Sequence, residues 1–227
     1  FNGPVYFSDS TFNRSADFKG TAFNGPVYFS DSTFNRSADF RGTAFNGPAS
    51  FMKSAFNGDA DFRGSAFNGD AYFSDSTFSG DAYFSDSTFS GPVYFEGSAF
   101  SAPAYFYNST FSGPADFRRS AFNGSDFSWI QFEKLVSFDD VRFNGSASFN
   151  SSRFQEDALF EGADFNGTLY LTRAKYNRLY ISWKNIKELG YDDAAYFSLL
   201  ENFKKLGYFE DYDGCYYEYR RAHRNQD

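Results

Sequence analysis

The 227 residues include one Cys, one His and one Met. A single Cys excludes an internal disulfide framework and any multi-cysteine metal site. A single His excludes a histidine-rich metal cluster or a repeated imidazole base. No apolar run approaches the roughly 20 residues needed to cross a bilayer, and no signal peptide opens the chain. Cations are missing from one long stretch. Between Ser65 and Phe117 stand six acids (Asp70, Asp75, Asp81, Asp86, Glu96 and Asp116) and no Lys or Arg. Residues 1–165 carry 11 Lys/Arg against 20 Asp/Glu, and residues 166–227 carry 10 against 9, within a net charge of −8. Such an acidic surface argues against direct nucleic-acid binding, because neutralising phosphates takes cations. The first residue is Phe1, without a Met and in mid-repeat, which predicts a fragment or a processed product.

Aromatic residues take the place of the missing types: Phe occurs 34 times and Tyr 17 times. Ordinary cores draw on Leu, Val and Ile, so a core made almost wholly of Phe implies one environment repeated many times. Phe stands at 1, 7, 12, 18, 23, 29, 34, 40 and 45 and continues by alternating steps of six and five to Phe122. Two steps of five reach Phe127 and Phe132, and the alternation then resumes through Phe138 to Phe165. Neither a 3.6-residue period nor a strict period of two keeps these residues on one face over such a length. Two positions before each Phe lies a small or β-branched residue, as at Val5, Ser10, Ala16 and Thr21. In extended chain those two side chains point the same way. Each unit therefore sends one small and one large side chain inward, then turns at residues such as Asn2-Gly3 or Asp9-Ser10.

Residues 1–22 and 23–44 are identical except that Lys19 becomes Arg41, so 22 residues and four Phe complete one coil. Leu171, Tyr176 and Ile181 continue the count as variants, which makes about eight coils. At the usual strand spacing of about 4.8 Å the column is roughly 40 Å long. Asn2, Asn24, Asn46 and Asn68, then Ser90 and Ser112, recur at this period, and the amides are predicted to bond up the column.

The units Ala16-Asp17-Phe18-Lys19-Gly20, Ala38-Asp39-Phe40-Arg41-Gly42 and Ala60-Asp61-Phe62-Arg63-Gly64 resemble the pentapeptide-repeat family. Its unit is Ala, Asp or Asn, then Leu or Phe, then two freer residues. The resemblance covers about residues 1–181 and implies a right-handed, four-sided parallel β-helix. The chain departs from the pattern by a sixth residue in alternate units (Pro4, Pro26, Asp59) and by using Phe almost exclusively. The predicted fold is an all-β repeat solenoid of about eight coils over residues 1–181, followed by an α-helical cap over 182–227.

Near Asn123–Asp126 the alternation fails once, which predicts a coil of about 21 residues. We read it as a tolerated deletion with a local kink rather than a notch for a partner. Beyond Trp183 the pattern becomes helical. Asp192-Asp193 suits a helix N-cap, Tyr196, Leu199, Leu200, Phe203 and Leu206 follow helical spacing, and Gly207 suits a C-cap. Phe209, Tyr212, Tyr216 and Tyr219 form a second stripe, so an antiparallel helical hairpin is predicted to cover the last coil. The segment Tyr196 to Arg221 is similar to the tail of archaeal pentapeptide-repeat proteins, some of which carry a channel-like membrane domain.

Catalysis needs one unique constellation of groups. Here Asp17, Asp39 and Asp61 recur once per coil and give way to Tyr83 and Tyr105, which describes a solvated ladder. Asp59 and Asp81 lie one period apart, but the glycine-aspartate signature of calcium-binding β-rolls is missing. Thr11 and Thr33 give way to Ala55, which breaks the continuous Thr row that ice binding uses. Cys215 and His223 fall on the capping helix without a chemical role. The expectation is no enzyme, no catalytic residue, no cofactor and no metal.

The first functional expectation is a structural or protein-interaction module, a rigid acidic column in the cytoplasm. The resemblance implies a second, since some family members mimic DNA and bind type II topoisomerases such as gyrase. The tail implies a third, a soluble sensory or assembly domain of a membrane protein. A protein partner is expected, with no direct nucleic-acid binding and no membrane span in this chain. The Phe-lined coil at Phe1 predicts a homodimer, end-to-end stacking or continuation into further repeats.

Overall fold

A computed structural model describes residues 1–224. Each Phe unit forms a strand of two residues: Val5–Tyr6, Thr11–Phe12, Ala16–Asp17 and Ala22–Phe23 in the first coil. Strands so short persist because each pairs in parallel with its counterpart one coil away. Val5 lies beside Val27, Thr11 beside Thr33, Ala16 beside Ala38 and Ala22 beside Ala44. Four stacks of strands result, so the column has four faces; nine strands on the first and eight on the fourth make about eight turns. Coils are bonded in both directions. On the first face the Phe7 N–H donates forward to the Tyr28 carbonyl at 2.7 Å, and on the second the Thr33 N–H donates back to the Ser10 carbonyl at 2.9 Å.

From Phe23 to Phe165 every Phe of the repeat is buried, and as far as Phe143 each ring lies over its counterpart in the next coil. Phe34 and Phe56 stack at 4.7 Å and Phe78 and Phe100 at 4.5 Å, while rings on opposite faces meet edge to face, as Phe62 and Phe73 do at 5.5 Å. Both arrangements suit the quadrupole of a benzene ring. The small inward positions do more than leave room. Nine hydroxyls, from Ser32 and Thr43 to Ser109 and Ser120, each donate to the carbonyl of a Phe 25 residues earlier, at 2.6–2.9 Å. These buried bonds tie successive coils together inside the wall. The hydroxyls form two rows, which Ile130 and Val141 continue without a hydroxyl.

The two kinds of corner obey different constraints. In the five-residue steps the second residue after Phe is left-handed, as at Asp9 (φ 58°), Gly20 (φ 65°) and Asp31 (φ 59°), which favours Gly, Asp and Asn. Several six-residue steps, though not those with Arg14, Arg36 or Ala102, place Gly where the wall is crowded: a Cβ on Gly69 would lie 2.6 Å from the Gly47 carbonyl carbon in the preceding coil.

One coil is shortened. Ala104 lies beside Ser125, Thr110 beside Gln131, Ala115 beside Val136 and Ala121 beside Arg142, each 21 residues on, and the 22-residue register returns with Ser125 beside Ala147. Leu169, Leu171, Leu179 and Ile181 fill the last coil. Pairing continues past residue 181, since Ile186–Leu189 runs beside Asp164–Tyr170 with a shift in register.

Two helices follow, α1 (Asp193–Leu206) and α2 (Phe209–Arg224). The side chain of Asp192 accepts the Ala195 N–H at 2.8 Å, and Gly207 ends α1 in the left-handed conformation (φ 75°). Tyr196, Leu199, Leu200 and Phe203 are buried. Tyr196 and Phe197 at the start of α1 meet Tyr219 near the end of α2, at 5.5 and 5.0 Å, so the helices are antiparallel. The expected stripe on α2 is half corrected. Tyr212 and Tyr219 pack inward with Cys215, one turn apart, whereas Phe209 (68% exposed) and Tyr216 face outward. Gly214 lets the Trp183 ring close on this helix, since a Cβ there would lie 2.7 Å from Cδ1.

Burial pushes the Tyr176 and Tyr196 hydroxyls and the Cys215 thiol up, each to about 12. The folded values exceed the unfolded ones, so this contribution to stability is complete below about pH 9 and is lost as pH rises towards 12. The helical circular dichroism of α1 and α2 is therefore expected to fade over that range before the Phe column opens. Equal alkaline resistance of helices and column would contradict this.

Candidate functional site

With the interior closed by Phe, chemistry is left to the outward positions. On the first face these are Tyr6, Tyr28, Ser50, Tyr72, Tyr94, Asp116 and Ser137 in successive coils. On the third they are Asp17, Asp39, Asp61, Tyr83, Tyr105 and Asp126. The second and fourth faces present mainly Thr and Ala as far as Ala121 and Thr110.

Rungs are locked to one another. Asn24, Asn46 and Asn68 each donate a side-chain N–H to the amide oxygen one coil back, all at 2.8 Å. A second amide ladder, Asn13–Asn35–Asn57, repeats the arrangement at 2.8 and 3.0 Å; the recurrence of Asn at those positions was its readable signal. Tyr72 stacks on Tyr94 and Tyr83 on Tyr105, both at 5.2 Å. The hydroxyls of Tyr72 and Tyr83 donate to Asp70 and Asp81 at 2.9 Å, and the bond to Asp81 pushes the Tyr83 phenol up to about 12.

The cation-free stretch has a shape that reading along the chain did not give. Asp70, Asp75, Asp81 and Asp86 fall at the four successive corners of one coil, a collar around the column. Glu96 and Asp116 are neutralised by Arg119 and Arg118, which lie just beyond the stretch in sequence and beside them in space. In the coils before the collar Asp39 and Asp61 are also paired. The Arg41 guanidinium binds Asp39 and holds its carboxyl below the usual range, and it reaches Asp61 at 3.6 Å.

At the shortened corner Asn123 Nδ2 donates to the Ser101 carbonyl at 2.7 Å. Ser125 continues the Ala104 row, and its buried hydroxyl has no partner among the described residues. Asp81 and Asp59 do approach, but through the Asp81 N–H, which donates to Asp59 Oδ1 at 3.1 Å. Among the described residues no three His, Cys, Asp or Glu side chains gather to hold a metal ion. Cys215 is wholly buried, and His223 Nδ1 lies 2.9 Å from the Tyr191 hydroxyl. Two grooves flank the helices, the larger of about 920 Å³ between Leu159, Tyr180 and the Tyr208-Phe209 turn. No described helix is long and apolar enough to cross a membrane.

A family model described as pentapeptide repeats (nine copies) matches residues 1–44, 40–88, 84–128 and 130–175. Among solved structures, trypsin-treated QnrB1, a plasmid-mediated fluoroquinolone resistance protein, is 13% identical. That alignment covers 91% of this chain and 97% of the other, with a TM-score of 0.28. No curated protein matches the chain.

Proposed function

Since the chain belongs to the pentapeptide-repeat family, we propose that it acts without catalysis, as a rigid acidic column whose Tyr- and Asp-bearing faces bind another protein. The observation that supports this most is the fixing of outward side chains before any partner arrives. Tyr72 and Tyr94, and Tyr83 and Tyr105, are held ring on ring at 5.2 Å, with acids bonded beside them. Tyr is enriched at protein interfaces, and side chains already ordered lose little entropy on binding. The acid collar adds long-range attraction for a basic partner. The helices serve as a cap over the last coil in this reading.

The test compares capture of partners by the native chain and by a chain carrying Asp70→Lys, Asp81→Lys and Tyr94→Ser. A specific partner is expected to be held at moderate salt by the first and lost by the second, with circular dichroism unchanged. Turnover of a substrate, or stoichiometric binding of a small metabolite, would count against the proposal.

The collar also favours a second reading, mimicry of DNA. Inhibition of gyrase supercoiling by the native chain, relieved by Asp70→Lys and Asp81→Lys, would support it, and absence of inhibition would reject it.

A further inference from the structure

We infer that the third face carries, at Tyr105 and Asp126, a seat for an arginine side chain of the partner protein. This rests on the protein-binding reading above and specifies the chemistry of its contact. A Tyr and an Asp occupy neighbouring rungs three times: Asp61 beside Tyr83, Tyr94 beside Asp116, and Tyr105 beside Asp126. The chain itself fills the first pair, acid and ring, and binds the acid of the second. Arg63, two residues past Asp61, donates from Nε to Oδ1 at 2.9 Å and from Nη2 to Oδ2 at 2.5 Å. Its guanidinium carbon lies 4.9 Å from the centre of the Tyr83 ring. Arg118 binds Asp116 through the same atoms, at 2.9 and 2.6 Å.

In the third pair the residue two past the Asp is Ser128. The Asp126 carboxylate accepts the Ser128 N–H at 2.9 Å, and no Lys or Arg pairs with it among the described residues. The row that supplies cations to this face runs Lys19, Arg41, Arg63 and then Ser85, Tyr107, Ser128, so guanidinium ends before the third pair is reached. A carboxylate next to an aromatic ring takes a guanidinium in two ways at once, by paired charge-assisted hydrogen bonds and by cation–π contact. An ammonium lacks the planar fork for the first.

The adjoining corner is unusual in the same place. Trp129 is 54% exposed and Tyr107 43% exposed. Trp129 is also left-handed (φ 59°), at a position held on this corner by Gly20, Gly42, Gly64, Asp86 and Asn108 in earlier coils. Lys53, Arg119 and Arg173 take the same conformation at equivalent corners, so what sets Trp129 apart is an exposed aromatic ring three residues past Asp126.

The chain has two Trp, so in a Trp183→Phe background the fluorescence of Trp129 reports on this corner. A short peptide with one central Arg is titrated against the same peptide with citrulline, which keeps the shape and removes the charge. The Arg peptide is expected to bind about tenfold more tightly, the effect of a charged hydrogen-bond partner. Ser128→Arg supplies the missing guanidinium from within, at the loss of the Ser128–Ser148 hydroxyl bond, and is expected to weaken peptide binding about tenfold with the circular dichroism of the column retained. Asp126→Asn, which keeps the shape of the side chain, is expected to weaken it to a similar extent. Equal binding of the two peptides, binding of neither, or undiminished binding by both variants overturns the seat. If that happens while Asp70→Lys and Asp81→Lys still release a captured partner, the seat alone falls. If capture is also insensitive to those changes, the wider reading falls with it.

Discussion

Phe84→Ala is expected to destabilise the column by about 3–5 kcal/mol, the usual range for removing a fully buried aromatic ring. Phe84 stacks on Phe62 and Phe106 at 5.0 and 4.9 Å and meets Phe73, Phe95 and Phe78 edge to face. The cavity cannot close, because the strand carrying Ala82 is paired on both sides and the wall cannot move inward at one rung only. Each coil touches only its neighbours, so a hole in the middle weakens the coupling between the halves as well as the whole. Urea unfolding should therefore show a lower midpoint and a broader transition. Phe7→Ala in the first coil is the control: Phe7 is partly exposed and stacks on one side only, on Phe29 at 4.8 Å. Its loss should be less than half as large. A Phe84→Ala midpoint within error of the Phe7→Ala midpoint would show that the column relaxes around holes.

The second large effect is expected at Asn202→Leu, about 1–3 kcal/mol, from a buried Leu179 N–H left without a partner while the Leu179 carbonyl keeps only the Ile181 N–H at 3.1 Å. Leu179–Tyr180 is the last strand of the first face, and no further coil follows to pair with it. Asn202 is 4% exposed on α1. Its Oδ1 accepts the Leu179 N–H at 3.0 Å, and its Nδ2 donates to the Leu179 carbonyl at 2.8 Å. A side-chain amide has the donor and acceptor of a peptide, so Asn202 stands where the next strand's backbone would be. Leu matches the size of Asn roughly and offers neither group. Hydrogen exchange at the Leu179 amide would report the effect directly. If that amide stays protected and stability falls by less than about 0.5 kcal/mol, the pairing matters little.

The column could be read from sequence because its rule is short and used many times. Once Phe1–Ala22 is seen to recur as Phe23–Ala44, the coil length, the four faces, the Asn ladder and the Asp39–Arg41 pair all follow. The cap was legible in part. Asp192 and Gly207 announce the ends of α1, but α2 has polar and aromatic residues all round. Spacing alone could not tell that Cys215, rather than Phe209 or Tyr216, faces inward. Two further features exist only in three dimensions. The inward hydroxyls look like small fillers until the Phe carbonyls of the preceding coil are seen beside them. The acids between Ser65 and Phe117 look like one stripe until the corners spread them into a collar and bring Arg118 and Arg119 against two of them. Asp126 carries the same lesson: its lack of a cation means something only beside Asp61 and Asp116, which are distant in sequence and equivalent in position.

The shortened coil can be described as a crystal defect. Above it residue n lies under n + 22, and across it each of the four faces makes one pairing at 21 before the old count returns. The sequence has slipped in phase by one, yet no row of the lattice is broken, and the Phe rows run straight through. The fault is confined to one corner, where Asn123 bonds to the Ser101 carbonyl and the Ser125 hydroxyl is left unsatisfied. In a sheet joined by hairpins a slip of one residue would turn every later side chain to the wrong face. Here each corner acts as a phase reset, so a residue can be lost without the error travelling further up the column.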